Sequence, residues 1–415
     1  METGKVLKDF LKSRFRIFCP RGSLKNYYAY GGFDGVFLAL LMIILVTGLI
    51  MMFSASYVYS WYERGDPYYL FKRQLIYTAV SVVFMFIVSR IRWDVFEDAA
   101  VLALVAAVIL LIFVLVHPKI IPGKEDFKRW IEVPLFGTFQ PSEFAKIALI
   151  MYCAWSMDKR RRLVEVHWWA TLPHLGVIAV TAGLVYAENH LSGTILILAI
   201  GVIMIFLGGS KVQIFALGFA GIVVLGAIAV ASGYLKDYMG ERIEVWLKLL
   251  HNEELTNSEA QGEGWQILQS LYAIGSGGLF GMGFGKSNQK HLYLPEPQND
   301  FIYAIVCEEL GYIRAIIIML LFLLLVFRGI YIALKCRSRF GALLTLGISF
   351  QIGLEAGLNM AVVTGTVPNT GISLPFFSYG GSAMLMLLTE MGMILSVSRG
   401  IEKKPAKEKV LNEQS

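Results

Sequence analysis

The chain has 415 residues, of which 56% are hydrophobic and 16% charged, with a mean hydropathy of +0.61. Soluble domains carry about 25% charged residues, so this composition excludes an ordinary soluble protein and implies an all-α polytopic membrane protein. The net charge of +6 is gathered at the two ends and in short loops, which is a membrane-topology signal and not a nucleic-acid footprint.

A spanning helix needs roughly 20 mainly apolar residues. Ten segments are expected to span: 35–55, 74–90, 99–117, 142–157, 168–187, 192–208, 212–232, 300–327, 341–363 and 382–399. The fourth is short and carries charge. A basic segment 1–34 precedes this membrane domain of 35–399, and a tail of 400–415 follows it. No short apolar stretch ends in a small-residue cleavage site, so no cleavable signal peptide is expected. The four cysteines (Cys19, Cys153, Cys307, Cys336) form no metal spacing and no expected disulfide.

Lys5 to Lys25, Lys159 to Arg162, Arg328 to Arg339 and Arg399 to Lys409 are the basic segments. With ten spans they all fall on one side, cytoplasmic by the positive-inside rule, together with both termini. The outside then owns loops 118–141, 233–299 and 364–381. The middle loop, between spans seven and eight, is too long for a connector. It opens on GERIEVWLKLL, an amphipathic pattern suited to the bilayer surface. Later comes QILQSLYAIGSGGLFGMGFGKS, whose glycines allow close backbone approach in a re-entrant or surface element.

Three outer stretches carry candidate chemistry. The first is LPEPQNDFIYAIVCEELG, 294–311. Asp300 lies at the mouth of a membrane helix, where a carboxylate is costly and a functional role is the default expectation. Capping the helix is its ordinary alternative. Glu308 and Glu309 lie deeper, so at least one is expected to face a polar cavity or a partner. The second stretch is KRWIEVPLFGTFQPSEFAK, 128–146. Lys128 and Arg129 stand against the positive-inside trend and suit an anionic ligand such as pyrophosphate. Glu143 and Lys146 share a helix face at i,i+3. The third is TGTVPNTGISLPFFSYGGS, 364–382, apolar yet rich in Pro and Gly. It is expected to pack over a cavity or an acyl chain. No Walker loop, HExxH or G-x-S-x-G occurs, so nucleotide, zinc-peptidase and serine-hydrolase chemistry have no support.

From about residue 34 to 400 the chain resembles the SEDS family (shape, elongation, division and sporulation), which includes FtsW, RodA and SpoVE. The resemblance is carried by KRWI with FQPSEFAK, HLSGT at 190–194, ILQSLYAIGSGGLFGMGFGKS, YLPEPQNDFIYAIVCEELG, and VVTGTVPNTGISLPFFSYGGS with SVSR. FGKSNQKHLYLPEPQ is more similar to the FtsW and SpoVE branch than to RodA. The family implies a ten-helix fold in the bacterial cytoplasmic membrane. It also implies a peptidoglycan glycosyltransferase that polymerises lipid II outside that membrane. Its implied partners are undecaprenyl-linked glycan, a class B penicillin-binding transpeptidase and other division or elongation proteins. The family's catalytic Asp falls on Asp300. Its substrate-binding positions fall on Lys128, Arg129, Trp130, Glu143, Lys146, Ser270, Gly277, Gly278, Glu296, Gln298 and Ser378. The sequence departs from many relatives at Asn299, Arg314, Asn189, Thr138 and Glu355.

Lipid II carries an α-linked pyrophosphate and the product is β-1,4-linked, so the expected reaction inverts. Inversion in one step needs a base on the incoming hydroxyl and help for the leaving group opposite. Asp300 is the expected base. Lys128, Arg129 and Lys146 are expected to stabilise the leaving pyrophosphate, with a divalent cation, Mg²⁺ or Mn²⁺, as a possible aid at Asp300. A lipid II flippase and a non-catalytic divisome scaffold are the rival readings.

Overall fold

The structure, a computed structural model, describes residues 32–119, 128–133, 137–211, 244–248, 251 and 263–400. In chain order it has α1 (Gly35–Arg64), α2 (Tyr69–Val88), α3 (Trp93–Val116), a hairpin of β1 (Ile131–Val133) and β2 (Gly137–Phe139), α4 (Pro141–Lys159) and α5 (Arg161–Val166). A 3₁₀ turn at Trp168–Thr171 leads into α6 (Leu172–Ala187) and α7 (Leu191–Leu207). Then come α8 (Glu263–Gly277), α9 (Ile302–Lys335), α10 (Arg339–Val363) and α11 (Gly381–Arg399).

Among the described residues, seven helices are long and apolar enough to cross a membrane: α1, α2, α3, α6 with its preceding turn, α9, α10 and α11. The helix α7 is apolar but has 17 residues. The helix α4 has 19 and carries Glu143 and Lys146. Its inner turns, from Ala145 to Met151, are buried, which is how a charged helix avoids lipid. Each expected span except the seventh falls on one of these helices. The seventh, 212–232, and much of the loop after it lie outside the described residues. Of GERIEVWLKLL, residues 244–248 are described and helical. Val245 is buried there, and Trp246 Nε1 donates to Gly365 O at 2.9 Å.

Local chemistry sets the ends. Asp34 caps α1 by accepting from Phe37 N at 2.8 Å, and Gly65 closes it with φ 69°. The same Asp34 receives both Nε and Nη2 of Arg328 at 3.0 and 2.8 Å, tying α1 to the far end of α9. Pro141 opens α4, where a missing N–H costs nothing. The principal packed pairs are α2 with α11, α9 with α10, α3 with α4, and α8 with α9.

The helix α9 is 34 residues long and is broken at Gly311, where φ is 82° and ψ 171°. The connection after α8 threads into the break. Met282 N and Gly283 N donate to Glu308 O and Glu309 O, both at 3.0 Å, while Tyr312 N and Ile313 N donate to Gly278 O and Leu279 O. Backbone groups freed by the break are thus satisfied, a requirement for irregular chain in a membrane protein. Only glycine permits this approach: a Cβ on Gly311 would lie 2.2 Å from Gly281 N. Arg314, unexpected so early in a span, donates to Phe280 O at 2.9 Å and Leu310 O at 3.2 Å. The cation therefore serves carbonyls beside the break.

Candidate active site

Asp300 stands just before α9. The helix starts at Ile302 with Phe301 in the cap position, so Asp300 precedes the cap position and does not fill it. Its backbone is gripped from two sides. Asn359 Nδ2, on α10, donates to Asp300 O at 2.7 Å and to Ile372 O at 2.6 Å. Ser378 Oγ donates to Asn299 O at 2.7 Å and accepts from Leu374 N at 2.8 Å, while Tyr379 N donates to Gln298 O at 2.9 Å. Asn299 spends its side chain on Glu296, donating from Nδ2 to Oε2 at 2.8 Å. The Asp300 carboxylate lies against Gly371, where a Cβ would come within 3.3 Å of Oδ2 and the backbone has φ +70°. A bare backbone there keeps room beside the carboxylate.

The apolar loop 364–381 supplies this grip. Ile372, Leu374, Phe376 and Phe377 are buried and anchor it as non-helical chain. A Cβ on Gly48 of α1 would meet Phe376 O at 2.4 Å, so the loop reaches the first helix.

One helical turn from Asn359, Glu355 reaches Lys146. The ammonium Nζ lies 2.6 Å from Glu355 Oε1 and 3.0 Å from Glu143 Oε2. Gln351 Nε2 then bridges Glu355 Oε1 and Glu390 Oε2, each at 3.3 Å. Lys146, Glu355, Gln351 and Glu390 are all buried. Two carboxylates on one ammonium explain how a lysine is tolerated inside the bundle.

The hairpin brings a second group of residues. Arg129 Nη2 donates to Asn189 O, and Trp130 O accepts from Lys119 N at 2.7 Å. Lys128 is exposed. Asn189 has φ 57°, a backbone conformation closed to proline. His190 Nδ1 lies 3.3 Å from Ser142 Oγ, and burial keeps the ring's pKa well below the usual histidine range, aided by the nearby Arg129 and Lys146. His190 is thereby held neutral.

Of the positions the sequence singled out, Gln298, Asn299, Asp300 and Ser378 are brought together, with Glu296 beside them. Glu143 and Lys146 are paired. Ser270 and Gly277 lie elsewhere, in helix packing. Ser270 Oγ donates to Val363 O at 2.7 Å, and a Cβ on Gly277 would meet Cys307 O at 2.2 Å. Gly278 has φ +55° and open space beyond its Cα. Glu308 and Glu309 are fully buried clamps. Glu308 accepts from Ser287 Oγ and from Asn288 N at 2.9 Å. Glu309 pairs with Lys290 Nζ at 2.8 Å and accepts from Ser54 Oγ at 2.7 Å. Sequence reasoning passed over Asn359, Gln351 and Glu390. The spacing of Gln351, Glu355 and Asn359, four apart on an apolar helix, was the available signal.

A polytopic helical bundle that holds an acid at a helix mouth, gripped by a buried polar stripe, is the class this fold and site define. The chain belongs to the FtsW/RodA/SpoVE family of cell cycle proteins, whose model matches residues 35–403. It is 37% identical over 382 residues to the probable peptidoglycan glycosyltransferase FtsW of Trichlorobacter lovleyi, covering 92% of this chain and 97% of that protein. It is 35% identical over 367 residues to stage V sporulation protein E of Bacillus subtilis, covering 88% and 97%. Among solved structures it resembles a chain of a peptidoglycan synthase complex that coordinates polymerization and crosslinking. The TM-score there is 0.72 at 25% identity, over 90% of this chain and 99% of that one. The fold is shared with the rod shape determining protein RodA of Thermus thermophilus, with a TM-score of 0.64 at 22% identity over 90% and 98%. The protein is thus a multi-pass protein of the cytoplasmic membrane.

Proposed function

We propose that this protein is a peptidoglycan glycosyltransferase that polymerises lipid II at the outer face of the cytoplasmic membrane, with Asp300 as general base. The observation that carries the assignment is the seating of Asp300. Its carboxylate stands beside the bare Gly371, while Asn359, Ser378 and Tyr379 hold the backbone around it. A base must be held in place before it meets its proton. The family membership and the name of the Trichlorobacter lovleyi relative support the reaction class.

In the reaction, the acceptor 4-hydroxyl attacks the anomeric carbon of the donor. The O–C1 bond forms as the bond from C1 to the diphosphate breaks. Asp300 takes the hydroxyl proton, and the lipid diphosphate leaves with its electron pair. Lys128 and Arg129 supply the positive field for that leaving group, while Lys146 stays paired with Glu143 and Glu355. Positive segments at 159–162, 328–339 and both termini support an outward-facing Asp300. The ten-helix arrangement, with a spanning segment at 212–232, belongs to this same reading. So does a class B penicillin-binding transpeptidase as partner, which the likeness to a polymerising and crosslinking complex supports.

A divalent cation fits only in a limited way. Among the described residues no three His, Cys, Asp or Glu side chains converge on a metal site. Mg²⁺ or Mn²⁺ would rest on Asp300 and the substrate's own diphosphate, the usual carboxylate-plus-phosphate setting. When bound it would neutralise diphosphate charge.

The test is glycan synthesis from purified lipid II, with and without a cognate transpeptidase, comparing the parent protein with Asp300→Asn. The variant is expected to insert and melt normally and to make no polymer. An active Asp300→Asn protein sinks the base assignment. Transport of lipid II across vesicles by a variant that cannot polymerise would favour the flippase reading. Normal division in cells carrying Asp300→Asn would favour a scaffold.

A further inference from the structure

Two arginines near the start of α2 have no part in the site described above. Arg73 is half-buried and is held by tyrosines. Its Nη1 donates to Tyr69 OH at 3.2 Å and its Nη2 to Tyr77 OH at 2.6 Å. Its guanidinium lies 5.7 Å from the centre of the Tyr69 ring and 5.6 Å from that of Tyr77. Arg64, at the end of α1, shares the Tyr69 ring at 5.5 Å. Among the described residues, neither guanidinium forms an ion pair with a carboxylate. Lys72, beside them, is by contrast paired with Asp66 at 3.0 Å.

This arrangement adjoins the catalytic loop. Gln74, the next residue after Arg73, is buried and accepts from Gly380 N at 3.2 Å while donating to Ser378 O at 3.4 Å. Ser378 and Tyr379 in turn hold Asn299 and Gln298. Tyr379 is in electrostatic contact with both Arg73 and Arg64. Gly137 brings the hairpin over Arg73, since a Cβ there would come within 3.1 Å of Nη2.

An arginine has five N–H donors, and the two tyrosine hydroxyls engage two of them. Two guanidinium groups thus meet one aromatic ring, Arg64 at 5.5 Å and Arg73 at 5.7 Å from its centre. Planar guanidinium forks match phosphate oxygens two at a time.

We propose that Arg73 and Arg64 form a second diphosphate-binding site, which seats the diphosphate of the second lipid-linked substrate. This second site rests on the proposed reaction. That reaction joins two polyprenyl-linked sugars, each bearing a diphosphate. Lys128 and Arg129 serve one of them. The Arg73–Arg64 pair, on the other side of the Ser378–Tyr379 segment in the chain of contacts, serves the other. It acts in binding and takes no part in proton transfer.

The test uses the full-length protein in nanodiscs of zwitterionic lipid and titrates geranylgeranyl diphosphate. The parent chain is expected to bind two equivalents, and Arg64→Ala/Arg73→Ala one. Arg73→Lys keeps the charge but loses the fork, and is expected to weaken one site about tenfold. Tyr69→Phe/Tyr77→Phe keeps both charges and is expected to weaken the same site, which serves if the double arginine variant does not fold. Inorganic pyrophosphate is expected to compete at that site, whereas phosphatidylglycerol is not. Two full equivalents in the double arginine variant would overturn the proposal. So would equal competition by phosphatidylglycerol, which would mark a general attraction to anionic lipid. Asp300→Asn is expected to bind both equivalents, so an error in the base assignment shows in turnover alone and leaves this stoichiometry untouched.

Discussion

Asn359 and Glu355 stand one turn apart on the same face of α10, the first holding the carbonyl of Asp300 at 2.7 Å and the second Lys146 at 2.6 Å. One helix therefore sets the height of Asp300 relative to the buried charge cluster. Four residues of helix rise about 6 Å, which places the two anchors within one turn. Asn359→Ala removes both carbonyl contacts. Two buried acceptors left unsatisfied cost about 1–3 kcal/mol each. The expected result is a lower melting temperature and a polymerisation rate that falls further than the stability change explains. A variant that melts lower yet polymerises at the parent rate would show that Asn359 does not position Asp300.

Lys146 faces Glu143 and Glu355 in a buried setting. Removing one partner of a buried pair costs about 3–5 kcal/mol, because the remaining charge is stranded. Lys146→Met strands two carboxylates and is expected to abolish stable expression. Glu355→Gln leaves Glu143 on the ammonium and keeps a polar group of the same shape at 355. That variant is expected to fold and to melt within a few degrees of the parent. The comparison is read from thermal melts of the purified proteins. If Glu355→Gln proves as damaging as Lys146→Met, Glu143 alone does not satisfy the lysine.

The interlock at the α9 break depends on Gly311 and on the Lys290–Glu309 pair. Gly311→Ala places a methyl 2.2 Å from Gly281 N and puts alanine at a φ of 82°. Both effects oppose the threaded loop. Loss of folded protein is expected, measured as monodisperse yield in detergent. Glu309→Gln leaves Lys290 buried without a counter-charge and is expected to lower the melting temperature. Combining it with Lys290→Met removes both charges and is expected to recover part of that loss. Additive losses in the double variant would refute the pairing.

Glu188 follows α6 and is fully buried, with no hydrogen bond to either carboxylate oxygen among the described residues. Burial pushes its pKa up to about 8 from an ordinary 4.5, against the opposing pull of Arg129. An acid raised in the folded state binds more protons there than in the unfolded chain. Stability therefore falls as pH rises between 4.5 and about 8, and levels off above. Glu188→Gln is expected to flatten this slope and to melt higher than the parent at pH 8. Parallel melting curves across pH for the two proteins would contradict it.

Much of this protein is written in hydropathy, because a bilayer demands long apolar helices and tolerates charge only where it is used. That demand made the described spans legible, along with the position of Asp300 and the pairing of Glu143 with Lys146 at i,i+3. The same reasoning left Glu308 and Glu309 open between cavity and clamp. Their role depends on Ser287, Lys290 and Ser54, which reach them across 19 to 255 positions of chain. The break at Gly311 was hidden for a similar reason. An apolar run with one glycine reads as a continuous helix until another segment is seen inside it. Arg314, a puzzle in a linear span, becomes ordinary once the break beside it leaves carbonyls to serve. What the sequence by itself determined is the class of protein, the ends of most helices, and the acid at a helix mouth, since each follows from local composition and spacing. Only the tertiary structure decided which side chains hold that acid. Asn359, Ser378 and Tyr379 come from distant segments, and their hydrogen bonds exist only when α10 and the apolar loop pack against the start of α9.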